Sequence, residues 1–207
     1  MSQIIACGSK KGIVLAADGL AIDFDLQGEI VTRRIDRLFQ ISPHAAILTG
    51  GAIEGADMCR ALVNFIREEE LHYVEEIYGA ALPFLNSEYE LFMRKKCEIQ
   101  PIDPIHHVYF VLAGKSGKDS GNPFKLHLIW TKKKLPQLDG DEIALSYTAP
   151  RVMGLEYKLN RLCQADADPS SLAEVVKQEM ESLARKQEEI GPPFTYAVID
   201  GKGFREV

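Results

Sequence analysis

Ser2-Gln3-Ile4-Ile5-Ala6-Cys7-Gly8-Ser9-Lys10-Lys11-Gly12-Ile13-Val14-Leu15-Ala16-Ala17-Asp18 opens the chain, and its reading decides the rest. Two apolar stretches, Ile4 to Cys7 and Ile13 to Ala17, flank a turn-rich basic link from Gly8 to Gly12, the pattern of a β-hairpin. Their apolar character is nearly continuous, which suits strands covered on both faces. A second strand pair follows, Leu38 to Ile41 and Ala45 to Leu48, around the turn signal Ser42-Pro43-His44.

Beyond this the apolar period changes. From Gly55, the spacing of Met58, Leu62, Phe65 and Ile66 is helical. A second helix is expected from about Glu75 to Lys96, with Pro83 kinking it or marking its start. Strands return at Val108 to Leu112 and Leu126 to Trp130, joined by a loop containing Gly114-Lys115-Ser116. That triplet is not a phosphate loop, because Tyr109 stands where the motif needs its first glycine; a long hairpin turn accounts for it. A short strand is expected to span Ile143 to Thr148. Two helices follow, from Pro150 to about Gln164 and from Asp168-Pro169 onward. In the second, Ser171 and Glu174 fit a capping box. A last strand, Thr195 to Ile199, ends at a turn, Asp200-Gly201.

The order is strands, two helices, strands, two helices, strand. This is an α+β chain, and two stacked antiparallel sheets with helix pairs on the outer faces would bury every apolar stripe. Its 207 residues suit a single domain, 1–207, with a substantial core. Hydrophobic residues make up 46% and charged residues 26%, an ordinary globular balance. The net charge of −6 offers no basic footprint for nucleic acid, and Lys132-Lys133-Lys134 reads as a solvated strand end. No apolar run approaches the roughly 20 residues that cross a bilayer, and the first residues lack a signal-peptide pattern, so a cytoplasmic chain is expected. Cys7, Cys59, Cys97 and Cys163 are scattered and read as small buried hydrophobes, and His106-His107 reads as the opening of a strand. No metal or cofactor is expected.

This order, with particular residues on it, resembles the proteasome β-type subunit family and its bacterial relatives, across nearly the whole chain and most closely from Ser2 to Ala56. Gly12 to Asp18 is similar to the family's second strand with its catalytic-site aspartate. Arg37-Leu38-Phe39-Gln40-Ile41 is similar to the strand that carries the family's lysine. Leu48-Thr49-Gly50-Gly51 is similar to the segment whose glycine amide serves the oxyanion. The resemblance implies the four-layer αββα fold of the N-terminal nucleophile hydrolases. It also implies a chain that begins like a mature β subunit, self-association into rings, and peptide or unfolded-protein substrates delivered by an ATPase unfoldase.

It further implies the chemistry. In this family the residue that opens the mature chain supplies a hydroxyl nucleophile, and its free α-amine accepts the proton. Anchoring on Asp18 places Ser2 at that position, provided Met1 is removed. An α-amine has an unperturbed pKa near 8, close to working pH. Asp18 and Arg37 become the electrostatic support, Gly51 N–H the oxyanion donor, and Glu188 the replacement for a later aspartate. Arg37 departs from the family's lysine and stays protonated, so it cannot pass protons. The Gly-Ser-Gly turn expected before the third helix reads Ser146-Tyr147-Thr148-Ala149-Pro150, and the family's late serine is Gly191. Three functions follow: a peptidase, a catalytically silent assembly or binding subunit, and a small-molecule amidohydrolase.

Overall fold

The structure, a computed structural model, describes residues 2–24, 30–97, 107–118, 121–132 and 137–207. Met1, His106 and Lys133-Lys134 lie outside them, as do the expectations placed there. The described elements are, in chain order, β1 (Ile4–Ser9), β2 (Gly12–Ala17), β3 (Leu20–Phe24), β4 (Ile30–Arg34), β5 (Leu38–Ser42), β6 (Ala45–Gly51), α1 (Gly55–Glu68), α2 (Val74–Cys97), β7 (Val108–Lys115), β8 (Phe124–Thr131), β9 (Leu138–Ile143), β10 (Ser146–Ala149), α3 (Met153–Gln164), α4 (Pro169–Ala184), β11 (Thr195–Asp200) and β12 (Gly203–Glu206). They make a mixed α+β fold with four helices and three antiparallel sheets. The sheet orders are β10-β1-β2-β11-β12, β5-β6-β7-β8-β9 and the separate pair β3-β4.

Strand alternation divides the core into three clusters. In β1 and β2, Ile4, Ala6, Ile13 and Leu15 face one cluster together with Leu48 of β6, Val111 of β7 and Leu126 of β8. The intervening Ile5, Cys7, Val14 and Ala16 face another, built with Leu159 of α3 and Val176 and Met180 of α4. In β6 and β7 the alternate residues Ile47, Phe110 and Leu112 meet Leu62 and Ile66 of α1 and Ile77 and Leu85 of α2. β1 and β2 are therefore apolar at successive positions because each face has a partner. Fully burying one such side chain contributes about 1.5–3 kcal/mol before entropy is counted.

The hairpin β1-β2 and the pair β5-β6 stand where the sequence places them. Gly114 and Lys115 close β7, which pairs antiparallel with β8, and no helix among the described residues lies between the two strands, as a hairpin requires. Three readings are corrected. The helix expected near Glu75 starts at Val74 and runs through Pro83, so the proline is interior and is not a start signal. The stretch Ile143 to Thr148 is not one strand: β9 ends at Ile143 in one sheet and β10 begins at Ser146 in another. The capping box is not formed, because Asp168 is the N-cap and Pro169 the first helical residue, which carries Ser171 into the helix; the Asp168 carbonyl accepts the Leu172 N–H instead. The pair β3-β4 and the edge strands β9 and β12 were not anticipated.

Candidate active site

The start of β1 is fixed to the end of β2 by reciprocal bonds. Gln3 N–H donates to Asp18 Oδ1 at 2.8 Å, and Asp18 N–H donates to the Gln3 carbonyl at 3.0 Å. The hairpin register, Ile4 opposite Ala17, makes this possible by bringing residues 2 and 3 beside residue 18. Arg37 leads into β5, and its carbonyl accepts the Thr49 N–H at 2.9 Å, which ties it to β6. β6 ends at Gly51. There φ is +86°, and a Cβ would lie 2.1 Å from the His107 carbonyl oxygen, so only glycine fits.

These segments converge. Gly51 N–H donates to Ser2 Oγ at 3.1 Å. Arg37 Nε lies 3.5 Å from Asp18 Oδ1, with the arginine side chain 3% exposed and the aspartate side chain wholly buried. Arg37 Nη2 donates to the Leu20 carbonyl at 3.0 Å, while its Nη1 and Nε make no hydrogen bond. Gly191 N–H approaches Asp18 Oδ2 at 3.4 Å. Burial pushes the Asp18 carboxyl above its ordinary range, against the opposing pull of the Gln3 N–H, the Arg37 charge and the Gly191 N–H. Burial likewise lowers Arg37, against Asp18 and Tyr109. Each partner supports the other's charge, and desolvation still dominates both.

Ser2, Asp18, Arg37 and Gly51, named from the sequence, are thus brought together. Glu188 is not. It lies exposed on the segment after α4, and no bond among the described residues ties it to the cluster. That segment reaches Asp18 through the Gly191 backbone instead. Within Ser146 to Pro150, residues Ser146–Ala149 form the edge strand β10 paired to β1. Its Thr148 N–H and hydroxyl both donate to buried Glu156 at 2.9 Å, a structural lock between β10 and α3.

Tyr109 was read only as part of a strand. It stands opposite Gly50, and a Cβ on Gly50 would lie 2.2 Å from its ring, so the ring lies across the backbone next to Gly51. Its hydroxyl lies near enough to Ser2, Arg37 and Asp18 for each to influence its hold on the proton, and burial, the largest cause, raises its pKa. The signal in the sequence was Gly50-Gly51, two adjacent glycines with separate duties: one admits a ring, the other a carbonyl.

A cavity of about 270 Å³ is lined by residues that include Ala21, Arg33, Arg34, Ile53, Arg60 and Pro193, close in sequence to the cluster, although Ser2, Asp18, Arg37 and Gly51 are not among its lining. Ala21 follows Leu20, Ile53 is two residues past Gly51, and Pro193 two past Gly191. Chemically, the site offers one hydroxyl, one backbone N–H beside it, and a buried guanidinium–carboxylate pair behind it. Among the described residues no group of three or more His, Cys, Asp or Glu converges that would hold a metal ion. Cys7, Cys59 and Cys163 are free and buried, and none belongs to this cluster. No helix among the described residues is long and apolar enough to cross a membrane. No family model matches the chain, and no curated protein matches it.

Proposed function

We propose that this chain is an N-terminal nucleophile peptidase of the proteasome β-type subunit architecture, its sheets and helix pairs stacked as a four-layer αββα sandwich. Ser2 is the nucleophile once Met1 is removed. The three core clusters support the architecture: two join a sheet to a helix pair, and the third joins the two large sheets. The observation that carries the activity is the Gly51 N–H directed at Ser2 Oγ beside the buried Asp18–Arg37 pair.

In this reading the α-amine of Ser2 takes the proton from its own hydroxyl as Oγ attacks a peptide carbonyl. The electron pair moves onto the carbonyl oxygen, where Gly51 N–H meets it. The ammonium then returns the proton to the leaving amine, and water hydrolyses the acyl-enzyme. Arg37 does not move protons. Its fixed charge lowers the amine's affinity for a proton and so keeps part of it a free base near neutral pH. Asp18 orients the strand through Gln3 N–H and holds the guanidinium in place. The cavity lined by Ala21 and Ile53 takes a substrate side chain. Copies of the chain assemble into a ring that encloses these sites, in the cytoplasm, and receives unfolded polypeptide from an ATPase unfoldase.

Intact mass of the native protein and labelling by a peptide epoxyketone test this. A mass lacking Met1 and a single adduct at Ser2, abolished in Ser2→Ala, are expected. Full retention of Met1 would remove the mechanism, since residue 2 would then hold an amide nitrogen. One observation favours the silent assembly subunit: Ser2 is only 3% exposed, and Glu188 and the late serine position give it no side-chain support. That reading expects ring-sized particles in light scattering with no peptide turnover. A small-molecule amidohydrolase would instead turn over metabolite amides while leaving peptides intact.

A further inference from the structure

We propose that the Tyr109 hydroxyl is the second donor to the oxyanion formed at Ser2, acting together with the Gly51 N–H. This rests on the N-terminal nucleophile reading. An acyl-transfer oxyanion is stabilised by donors preorganised around the oxygen that gains charge, and one backbone N–H leaves the remaining lone pairs unmet. Within the site most of the other donors are committed; the exceptions are Arg37 Nη1 and Nε, which make no hydrogen bond, and Nε lies at the Asp18 carboxylate. Gln3 N–H and Gly191 N–H face Asp18, and Arg37 Nη2 faces the Leu20 carbonyl.

Tyr109 has the placement that the task demands. Its strand position opposite Gly50 sets its ring against the backbone one residue before the Gly51 donor, and the missing Cβ of Gly50 is what lets the ring lie there. The ring is held on a central strand between β6 and β8, across from Trp130. The ring lies against Gly50, and the next residue, Gly51, is the one whose N–H reaches Ser2 Oγ, so the Tyr109 hydroxyl is in the neighbourhood of the Ser2 side chain. The oxygen that becomes negative forms two bonds away from Ser2 Oγ, on the carbon that Oγ attacks, so a hydroxyl beside the Gly51 N–H is placed on the side where that oxygen must settle to meet the same N–H. Burial keeps the phenol protonated, and Arg37 nearby adds positive potential without competing as a proton donor.

The step balances without proton loss from Tyr109. The Ser2 Oγ–C bond forms, the carbonyl π pair becomes the oxyanion lone pair, and the hydroxyl proton goes to the Ser2 amine. Tyr109 gives a hydrogen bond that shortens as charge develops and relaxes when the C–N bond breaks.

The test uses the full mature chain, short fluorogenic peptides and a peptide aldehyde, which forms a tetrahedral adduct with the nucleophile. Tyr109→Phe keeps the ring and loses only the hydroxyl. Expected are a kcat lower by on the order of 100-fold, KM within about twofold, and aldehyde affinity reduced by a factor similar to kcat. Turnover within about twofold of the unaltered chain overturns the assignment. So does an equal loss of aldehyde and ground-state peptide binding, which marks a packing role. If the unaltered chain neither turns over peptide nor labels at Ser2, the nucleophile reading falls first and this one with it. Should Tyr109→Phe fail to fold, 3,5-difluorotyrosine at position 109 keeps ring and hydroxyl but makes the phenol more acidic. The alkaline loss of kcat should then move to lower pH, and an unmoved profile overturns the proposal.

Discussion

Two arginine–aspartate contacts in this molecule lie at opposite extremes. Arg60 donates to Asp57 at 2.7 Å within α1, with side chains 50% and 79% exposed, and also approaches Asp36 at 3.6 Å. Arg37 and Asp18 sit farther apart, at 3.5 Å, and are almost wholly buried. The closer pair matters less. At the surface, water competes for both charges and salt screens what remains, so geometry alone says little about energy. In the interior the pair holds two charges that desolvation pushes toward neutrality, and the guanidinium keeps donors that nothing satisfies. Such a pair is costly to keep, and a hydrophobic replacement would often be more stable. A stable scaffold has no need of it, and its presence beside Ser2 is the strongest structural argument for chemistry there.

Removing one member should produce the largest effect on folding. Asp18→Ala leaves Arg37 charged and buried without its carboxylate, with only the Leu20 carbonyl to accept from it, and strands the Gln3 N–H as well. A loss of about 3–5 kcal/mol in denaturant unfolding is expected. The double substitution Asp18→Asn with Arg37→Met sharpens the comparison, because it removes both charges and retains bulk. It should recover most of that stability while abolishing labelling at Ser2. A double variant as unstable as Asp18→Ala would mean that the pair is architectural.

The architecture was more legible than the site, for reasons that separate residue by residue. Ile4 to Cys7 and Ile13 to Ala17 announce themselves because both strand faces are covered, so burial writes two unbroken apolar runs. The strands missed are those with little to bury. β9 is an edge strand carrying Asp139, Asp141 and Glu142, charges that guard an open edge and disguise it as loop. β4 carries exposed Arg33 and Arg34, although its Ile30-Val31-Thr32 start was a usable signal. In the site, Ser2, Asp18, Arg37 and Gly51 were reachable only through the family resemblance, which the hairpin and the strand pair that carry them made recognisable. Tyr109 was hidden because a tyrosine in a strand is ordinary, and only the pairing to Gly50 gives it a direction. Glu188 misled because the loop after α4 has no periodicity to set its register, and it is a backbone group, Gly191 N–H, that the loop brings to Asp18.

The buried pair should also leave a signature in pH that the exposed pair lacks. Asp18 titrates above its ordinary value of 3.8 in the folded chain, chiefly through burial. Between the ordinary and the raised value the folded state holds the proton more tightly than the unfolded one. Stability from this group is therefore greatest below the ordinary value and declines as pH rises through the folded one. Subtracting the unfolding free energy of Asp18→Asn from that of the parent, at each pH, isolates the slope. A difference that rises with pH in that window would mean that the Arg37 charge outweighs desolvation. In the proposed reaction the same ionisation appears as an acidic limb in kcat/KM, because the fixed positive charge needs its carboxylate to hold it in place.

Arg60→Ala should produce the smallest effect. It removes the closer ion pair, and also the guanidinium that lies 5.6 Å from the centre of the Phe39 ring. Exposed pairs of this kind contribute about 0.2–1 kcal/mol, and a cation over an exposed ring a similar amount. Unfolding should shift by no more than about 1–1.5 kcal/mol in total, and the electrostatic part should shrink in high salt. The Asp18→Ala loss should persist there, because counterions do not enter the core. If salt erased the two losses to the same degree, the interior pair would have to be open to solvent. The case that burial, not proximity, gives this pair its weight would then fail at its root.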